Sequence, residues 1–170
     1  MRLFFALWPD PATQHAWLDA AAPALTMLGG RPLPAADLHL TLQFLGDTRP
    51  DLVKALMRLG DDVAGPAIAL CLDRIECWGG ADLACLRMDA PPELQRLVGN
   101  LALGMQDLGL SPDARRYKPH VTLARRLQHV MPAMPLLPAL NWRAGTLALM
   151  SSRNPEGGPR YRPLATWELT

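Results

Sequence analysis

Two segments of this chain carry the same four-residue pattern in the same setting. His39-Leu40-Thr41-Leu42 and His120-Val121-Thr122-Leu123 stand 81 residues apart, each inside an apolar run that reads as a strand. Side chains alternate between the two faces of a strand, so each His shares a face with its Thr. Leu40 and Leu42, or Val121 and Leu123, point the other way. The fold must therefore provide two strands, each with a polar face and a core face. With four His and eight Thr in the chain, a Thr two places after a given His is expected about one time in twenty. Two of the four, both followed by Leu at the fourth place, is the strongest signal in the sequence. His15 and His129 lack the pattern and read as an ordinary helix residue and a residue before a Pro-rich loop.

The elements around these runs define the class. Asp10-Pro11 reads as an N-cap and first helical position, and Leu18, Ala21, Leu25 and Leu28 recur at helical spacing up to Gly29-Gly30. Pro23 is expected to kink or divide that helix. A second helix opens at Asp51, with Leu52, Leu56, Leu59 and Val63 on one face and Gly65-Pro66 as the stop. A third runs from about Pro91 to Gln106, with Leu94, Leu97, Val98, Leu101 and Met105 as its stripe. Strands are expected over Leu3–Trp8, Leu38–Leu45, Ala67–Ile75, Leu83–Asp89, His120–Arg125, Leu147–Ser151 and Leu164–Leu169. Gly79-Gly80 and Gly157-Gly158 read as turns. Helices are too few, and strands too often adjacent, for a doubly wound parallel sheet. The pattern is that of an α+β protein of mainly antiparallel sheet.

Hydrophobic residues make up 49% of the 170 and charged residues 19%, which excludes disorder. No apolar run approaches the ~18 residues of a membrane span. The apolar stretch within Met1–Pro9 is too short for a signal peptide and lacks a small-residue cleavage site. The gaps between Cys71, Cys77 and Cys85 fit neither a CxxC pair nor a zinc framework. We expect a cytoplasmic protein with no membrane association. The net charge of +1 hides an asymmetry: residues 1–113 hold 8 basic and 14 acidic side chains, residues 114–170 hold 9 and 2. No acid stands between Asp113 and Glu156, where Arg115, Arg116, Lys118, Arg125, Arg126, Arg143 and Arg153 lie. Either an anionic partner meets this side, or the arginines pair with the acidic half.

Two imidazoles titrating near pH ~6.5, one neutral and one protonated, make a general base and a general acid without a metal. The Thr hydroxyls can donate to non-bridging oxygens of an anion held between them, and a phosphodiester suits such a site. Neither a GxGxxG nor a GxxxxGK[ST] occurs, and no metal-ligand spacing supplements either motif.

With these motifs the chain resembles the 2H (two-histidine) phosphoesterase superfamily. Within it, the resemblance is to the RNA 2′,3′-cyclic phosphodiesterases, also called 2′-5′ RNA ligases (LigT/ThpR-like). It covers nearly the whole chain: Arg2-Leu3-Phe4-Phe5-Ala6-Leu7, Leu38 to Gly46, Lys118 to Arg125, Leu149-Met150-Ser151-Ser152, and Tyr161 to Leu169. Arg31 to Asp37 departs from the more usual Arg-Trp-Val-x-Pro-Glu-Asn. The resemblance implies one bilobal domain over residues 1–170. Two pseudo-symmetric lobes with flanking helices would each contribute one His-x-Thr motif to a central cleft. It implies hydrolysis of RNA or nucleoside 2′,3′-cyclic phosphates to 2′-phosphates, and 2′-5′ joining in reverse. His39 would be the proton donor, His120 the proton acceptor, and Thr41, Thr122 and Arg125 would hold the phosphate. No cofactor, metal or obligate protein partner is implied, and the partners would be RNA ends or small cyclic nucleotides bound by a monomer.

Arg125 stands five residues after His120. That odd offset puts it on the opposite face of a regular strand, so it reaches a phosphate only if the strand ends or bulges near Ala124. Phe4 is a candidate for lining the cleft and stacking on a base, with core packing as its plainer reading. Tyr117 among Arg115, Arg116 and Lys118 makes a small basic-aromatic patch suited to an RNA end or to a solvated loop. The alternative function is a non-catalytic module that holds an RNA end or nucleotide in the same cleft. Paired imidazoles favour the enzyme, because anion binding alone does not need two titrating rings.

Overall fold

The computed structural model describes residues 1–152 and 160–170; Arg153, Pro155, Glu156 and the Gly157-Gly158 pair lie outside the described residues. Among the described residues the strands are β1 (Arg2–Leu7), β2 (Arg31–Pro32), β3 (Leu40–Asp47), β4 (Ile68–Trp78), β5 (Leu83–Arg87), β6 (His120–Arg125), β7 (Met134–Ala144), β8 (Thr146–Ser152) and β9 (Tyr161–Glu168). The helices are α1 (Pro11–Leu28), α2 (Val53–Val63) and α3 (Pro92–Asp107). Every strand pairing is antiparallel, as the α+β expectation requires.

The strands form one open sheet in the order β7-β4-β5-β6-β3-β1-β8-β9, and β2 pairs with the end of β6. The order repeats itself outward from the middle: β3-β1-β8-β9 on one side, β6-β5-β4-β7 on the other. The halves meet at a single pair, Leu40 against Val121. The helices and one face of the sheet share the main core, to which β1 gives Leu3, Phe5 and Leu7, α1 Trp17 and Leu25, α2 Leu56 and α3 Leu94 and Leu101. Phe4 and Ala6, on the other face of β1, pack instead with Ala148, Met150, Trp8 and Tyr161. That second face carries the motifs.

Local sequence explains the helices. Asp10 accepts from the Thr13 N–H at 2.9 Å, Pro11 starts α1, and Gly29 ends it in the left-handed region at φ 62°. Helix α1 runs as one helix from Pro11 to Leu28 and is not divided at Pro23. Ala21, Leu25 and Leu28 bury on both sides of it, while Pro23 and Asp19, whose carbonyl loses its partner, face solvent. Buried Gln14 of α1 donates to the Leu38 carbonyl at 3.0 Å, fixing the segment that enters the first motif. The second helix begins as a 3-10 turn, Pro50–Leu52, and turns α-helical only at Val53. Gly60 is needed there: an added Cβ would lie 2.1 Å from the Trp167 ring. The Pro-rich segment after His129 is not the loop expected of it but leads into β7. Its Pro135 and Pro138 are tolerated because β7 is an edge strand, where a missing N–H costs no ladder bond on the open side. No helix among the described residues is long and apolar enough to cross a membrane.

Candidate active site

The lone Leu40–Val121 pair organises the site. Antiparallel pairing sets His39 across from Thr122 and Thr41 across from His120. Leu40 and Val121 are fully buried on the helix side, so all four polar residues share the opposite face. They line a cleft of about 360 Å³ together with Phe4, Asp37, Phe44, Arg125, Arg160 and Tyr161. The site is thus a near-twofold quartet around one sheet bridge.

Both imidazoles are held in the same way. The Nδ1 of His39 lies 2.7 Å from the Asp37 carbonyl, and that of His120 lies 2.9 Å from the Lys118 carbonyl. A carbonyl only accepts, so each Nδ1 carries the hydrogen and each Nε2 is the working nitrogen. The Nε2 of neutral His39 then accepts from the Thr41 hydroxyl at 3.1 Å.

A bulge brings Arg125 to the same face. Opposite β5, Thr122 pairs with Cys85 but Ala124 pairs with Ala84, so Leu123 and Ala124 together oppose a single step of the partner. Both turn into the core, parity reverses, and Arg125 emerges beside Thr122 and lines the cleft. The other half repeats this: Thr41 pairs with Ala6, then Gln43 with Phe5 and Phe44 with Phe4. Phe44 therefore occupies the place of Arg125 in its own half. It is 47% exposed, whereas Phe4 is 3% exposed beneath His39.

The surroundings of the two histidines differ in kind. His39 sits among aromatic rings: Trp8 stacked at 4.9 Å and 7°, Phe4 tilted at 5.0 Å, and Tyr161 edge-on at 5.0 Å. Burial is the main reason its pKa falls to about 4, opposed by the Asp37 bond and aided by His120 and Arg160. His120 rests on a charged network. Arg87 pairs across from it, Trp78 leans on it at 4.5 Å, and the Trp78 indole donates to Glu76 at 3.0 Å. Glu76 also binds Arg87 and Arg74, and Arg87 donates to the Pro119 carbonyl. Burial lowers the His120 pKa too, with Arg87 and Arg125 acting in the same direction.

Trp8, Trp78, Arg87, Arg160 and Tyr161 were not among the sequence candidates. Strand parity could have found Trp8, four places after Phe4 at the end of one strand. Within the basic stretch, Tyr117 donates to the Thr41 carbonyl at 2.9 Å and Arg115 pairs with the neighbouring Asp113. Among the described residues no other ion pair involves that stretch, so of its described basic side chains only Arg115 is paired with the acidic half.

A family model described as the 2′-5′ RNA ligase superfamily matches residues 9–156. The RNA 2′,3′-cyclic phosphodiesterase of Escherichia coli K12 is 32% identical, covering 99% of this chain and 97% of its own. The protein of the same name from Thermus thermophilus is 29% identical over 99% of this chain and 90% of its own. The crystal structure of Escherichia coli LigT complexed with 3′-AMP superposes with a TM-score of 0.87 at 30% identity, covering 99% and 98% of the two chains. A match over most of the chain, joined to the shared fold, places this protein in the 2′-5′ RNA ligase superfamily.

Proposed function

We propose that the chain acts as one bilobal catalytic unit in the cytoplasm and hydrolyses 2′,3′-cyclic phosphates, at RNA ends or on small nucleotides, to 2′-phosphates. The observation that carries this reading is the quartet itself: two imidazoles whose Nδ1 is held by a carbonyl, leaving Nε2 as the nitrogen for proton transfer, two hydroxyls and Arg125 around one cleft. The names of the two relatives point to the same reaction.

In the proposed cycle Thr41, Thr122 and Arg125 hold the non-bridging phosphate oxygens. His120 Nε2 takes a proton from water as its oxygen bonds to phosphorus. The P–O3′ bond breaks, and His39 Nε2 gives its proton to the departing 3′ oxygen. The protons balance, and each ring ends in the state in which the other began. The aromatic enclosure keeps His39 neutral in the free protein. The negative charge of the cyclic phosphate raises its pKa, so His39 takes up on Nε2, as substrate binds, the proton that it later gives to the 3′ oxygen. With the 5′-hydroxyl of another strand in place of water the same roles give 2′-5′ joining, and they exchange when that bond is cleaved back to the cyclic phosphate.

The test is incubation with a panel of nucleoside 2′,3′-cyclic phosphates in excess chelator, with phosphorus NMR of the products. The reading expects 2′-phosphate alone. Tight binding of the same nucleotides without product would instead identify a non-catalytic binding module.

A further inference from the structure

The cleft has an outlet. A groove of about 820 Å³ joins it at Thr41, Phe44 and His120 and runs between α3 and the loop that precedes β6. Phe44 and Trp78 stand at the junction, Val98, Gly99 and Ala102 form the α3 wall, and Arg115, Arg116 and Lys118 line the opposite rim. The one acid on that rim, Asp113, is taken up by Arg115, whose Nε lies 2.9 Å from it. Arg116 and Lys118 are exposed and, among the described residues, make no ion pair. Beyond them the groove continues along α3 past Gln95 as a second hollow of about 700 Å³.

We propose that this groove is the track for the RNA strand on the 5′ side of the terminal cyclic phosphate, with Phe44, at the junction with the cleft, as its first stacking surface. The inference rests on the hydrolase reading for what occupies the cleft. The chemistry of the groove selects the occupant: aromatic rings at the entrance offer sequence-tolerant stacking, and an uncompensated basic rim follows a phosphate backbone. Phe44 is exposed because the bulge in β3 turns it out of the core, so its ring is available to a base. The opposite wall is smooth at Gly99, where an added Cβ would meet nothing within 4 Å.

Gly99 also supplies the test, because side chains placed there alter the charge of the groove without touching the quartet. The probe is a 5′-fluorescein single-stranded RNA pentamer ending in a 3′-phosphate, titrated by fluorescence anisotropy against wild type, Gly99→Ala, Gly99→Glu and Gly99→Lys. The track predicts that Gly99→Glu weakens pentamer binding about fivefold and Gly99→Lys tightens it by a similar factor, through charge alone. Gly99→Ala should stay within about twofold of wild type, and a nucleoside 3′-monophosphate should bind all four proteins equally. Arg116→Gln should flatten the pentamer's log–log salt slope by about 0.7. Equal pentamer affinity in the Glu and Lys variants overturns the track. Turnover of a cyclic mononucleotide by the wild-type protein reads the hydrolase assignment separately: its absence beside charge-dependent pentamer binding would remove the enzyme and keep the track.

Discussion

Trp8 lies flat against His39, ring planes 7° apart and centroids 4.9 Å apart, one step beyond the Leu7–Leu40 pair of β1 and β3. The corresponding place beside His120 is held by Arg87. His39 packs among three aromatic rings, whereas the single ring against His120, Trp78, has the Arg87 guanidinium 5.6 Å over it. This breaks the near-twofold symmetry of the quartet and gives two chemically identical residues different proton affinities.

With both imidazoles depressed, the kcat/KM profile of the free enzyme should be a bell whose limbs both lie below the ordinary ~6.5. The limbs belong to the coupled pair. Trp8→Leu opens His39 to water, so its NMR titration midpoint should rise from about 4 by on the order of one unit, carrying the bell to higher pH. An unmoved midpoint would mean that the ring does not desolvate His39.

The same shifts set how stability depends on pH. A folded-state pKa below the unfolded value means that the unfolded chain binds more protons. Stability should therefore be complete above the unfolded ~6.5 and fall as pH drops toward the folded value of about 4. Urea denaturation of wild type and His39→Phe across this window checks it: the variant should lose part of the pH dependence.

Arg87→Met removes a positive charge beside His120 and leaves Glu76 with Arg74 and Trp78 as partners. The His120 titration should move upward, and stability should drop by about 1–3 kcal/mol as the half-buried carboxylate loses one donor. A drop in stability with no change in the titration would limit Arg87 to a structural role.

Arg125→Gln should raise KM for a cyclic mononucleotide by about 10–100-fold while changing kcat less, as expected for loss of a charge-assisted bond to phosphate. Thr41→Val and Thr122→Val should each slow turnover less than loss of either His. Unchanged kinetics in the double Thr variant would remove the hydroxyls from phosphate binding.

Most of the fold was legible because its signals are local. The Leu94–Met105 stripe, the Asp10 cap and the alternation around Thr41 and Thr122 each report on a few neighbouring residues. What escaped depends on partners distant in sequence. Pro135 and Pro138 argue against a strand until β7 is known to be an edge, and Pro23 argues for a break until its solvent-facing position is known. The bulges at Leu42-Gln43 and Leu123-Ala124 have no composition signal, since they arise from how β1 and β5 pair with the motif strands. One trace was present in the sequence: Phe44 follows His39 by five residues, as Arg125 follows His120. That equal offset carried the second element of the repeat, and it placed the exposed ring at Phe44 rather than at Phe4.

The central claim is that His39 and His120 work as one acid–base pair. Its most direct measurement is single-turnover hydrolysis of a nucleoside 2′,3′-cyclic phosphate, in chelator, by His39→Ala, His120→Ala and the double variant. Each single change should cost about 10²–10⁴-fold, and the double should cost little more than the worse single, because removing either ring already breaks the proton path. Retention of wild-type turnover by either single variant, or losses that multiply fully in the double, would contradict the account.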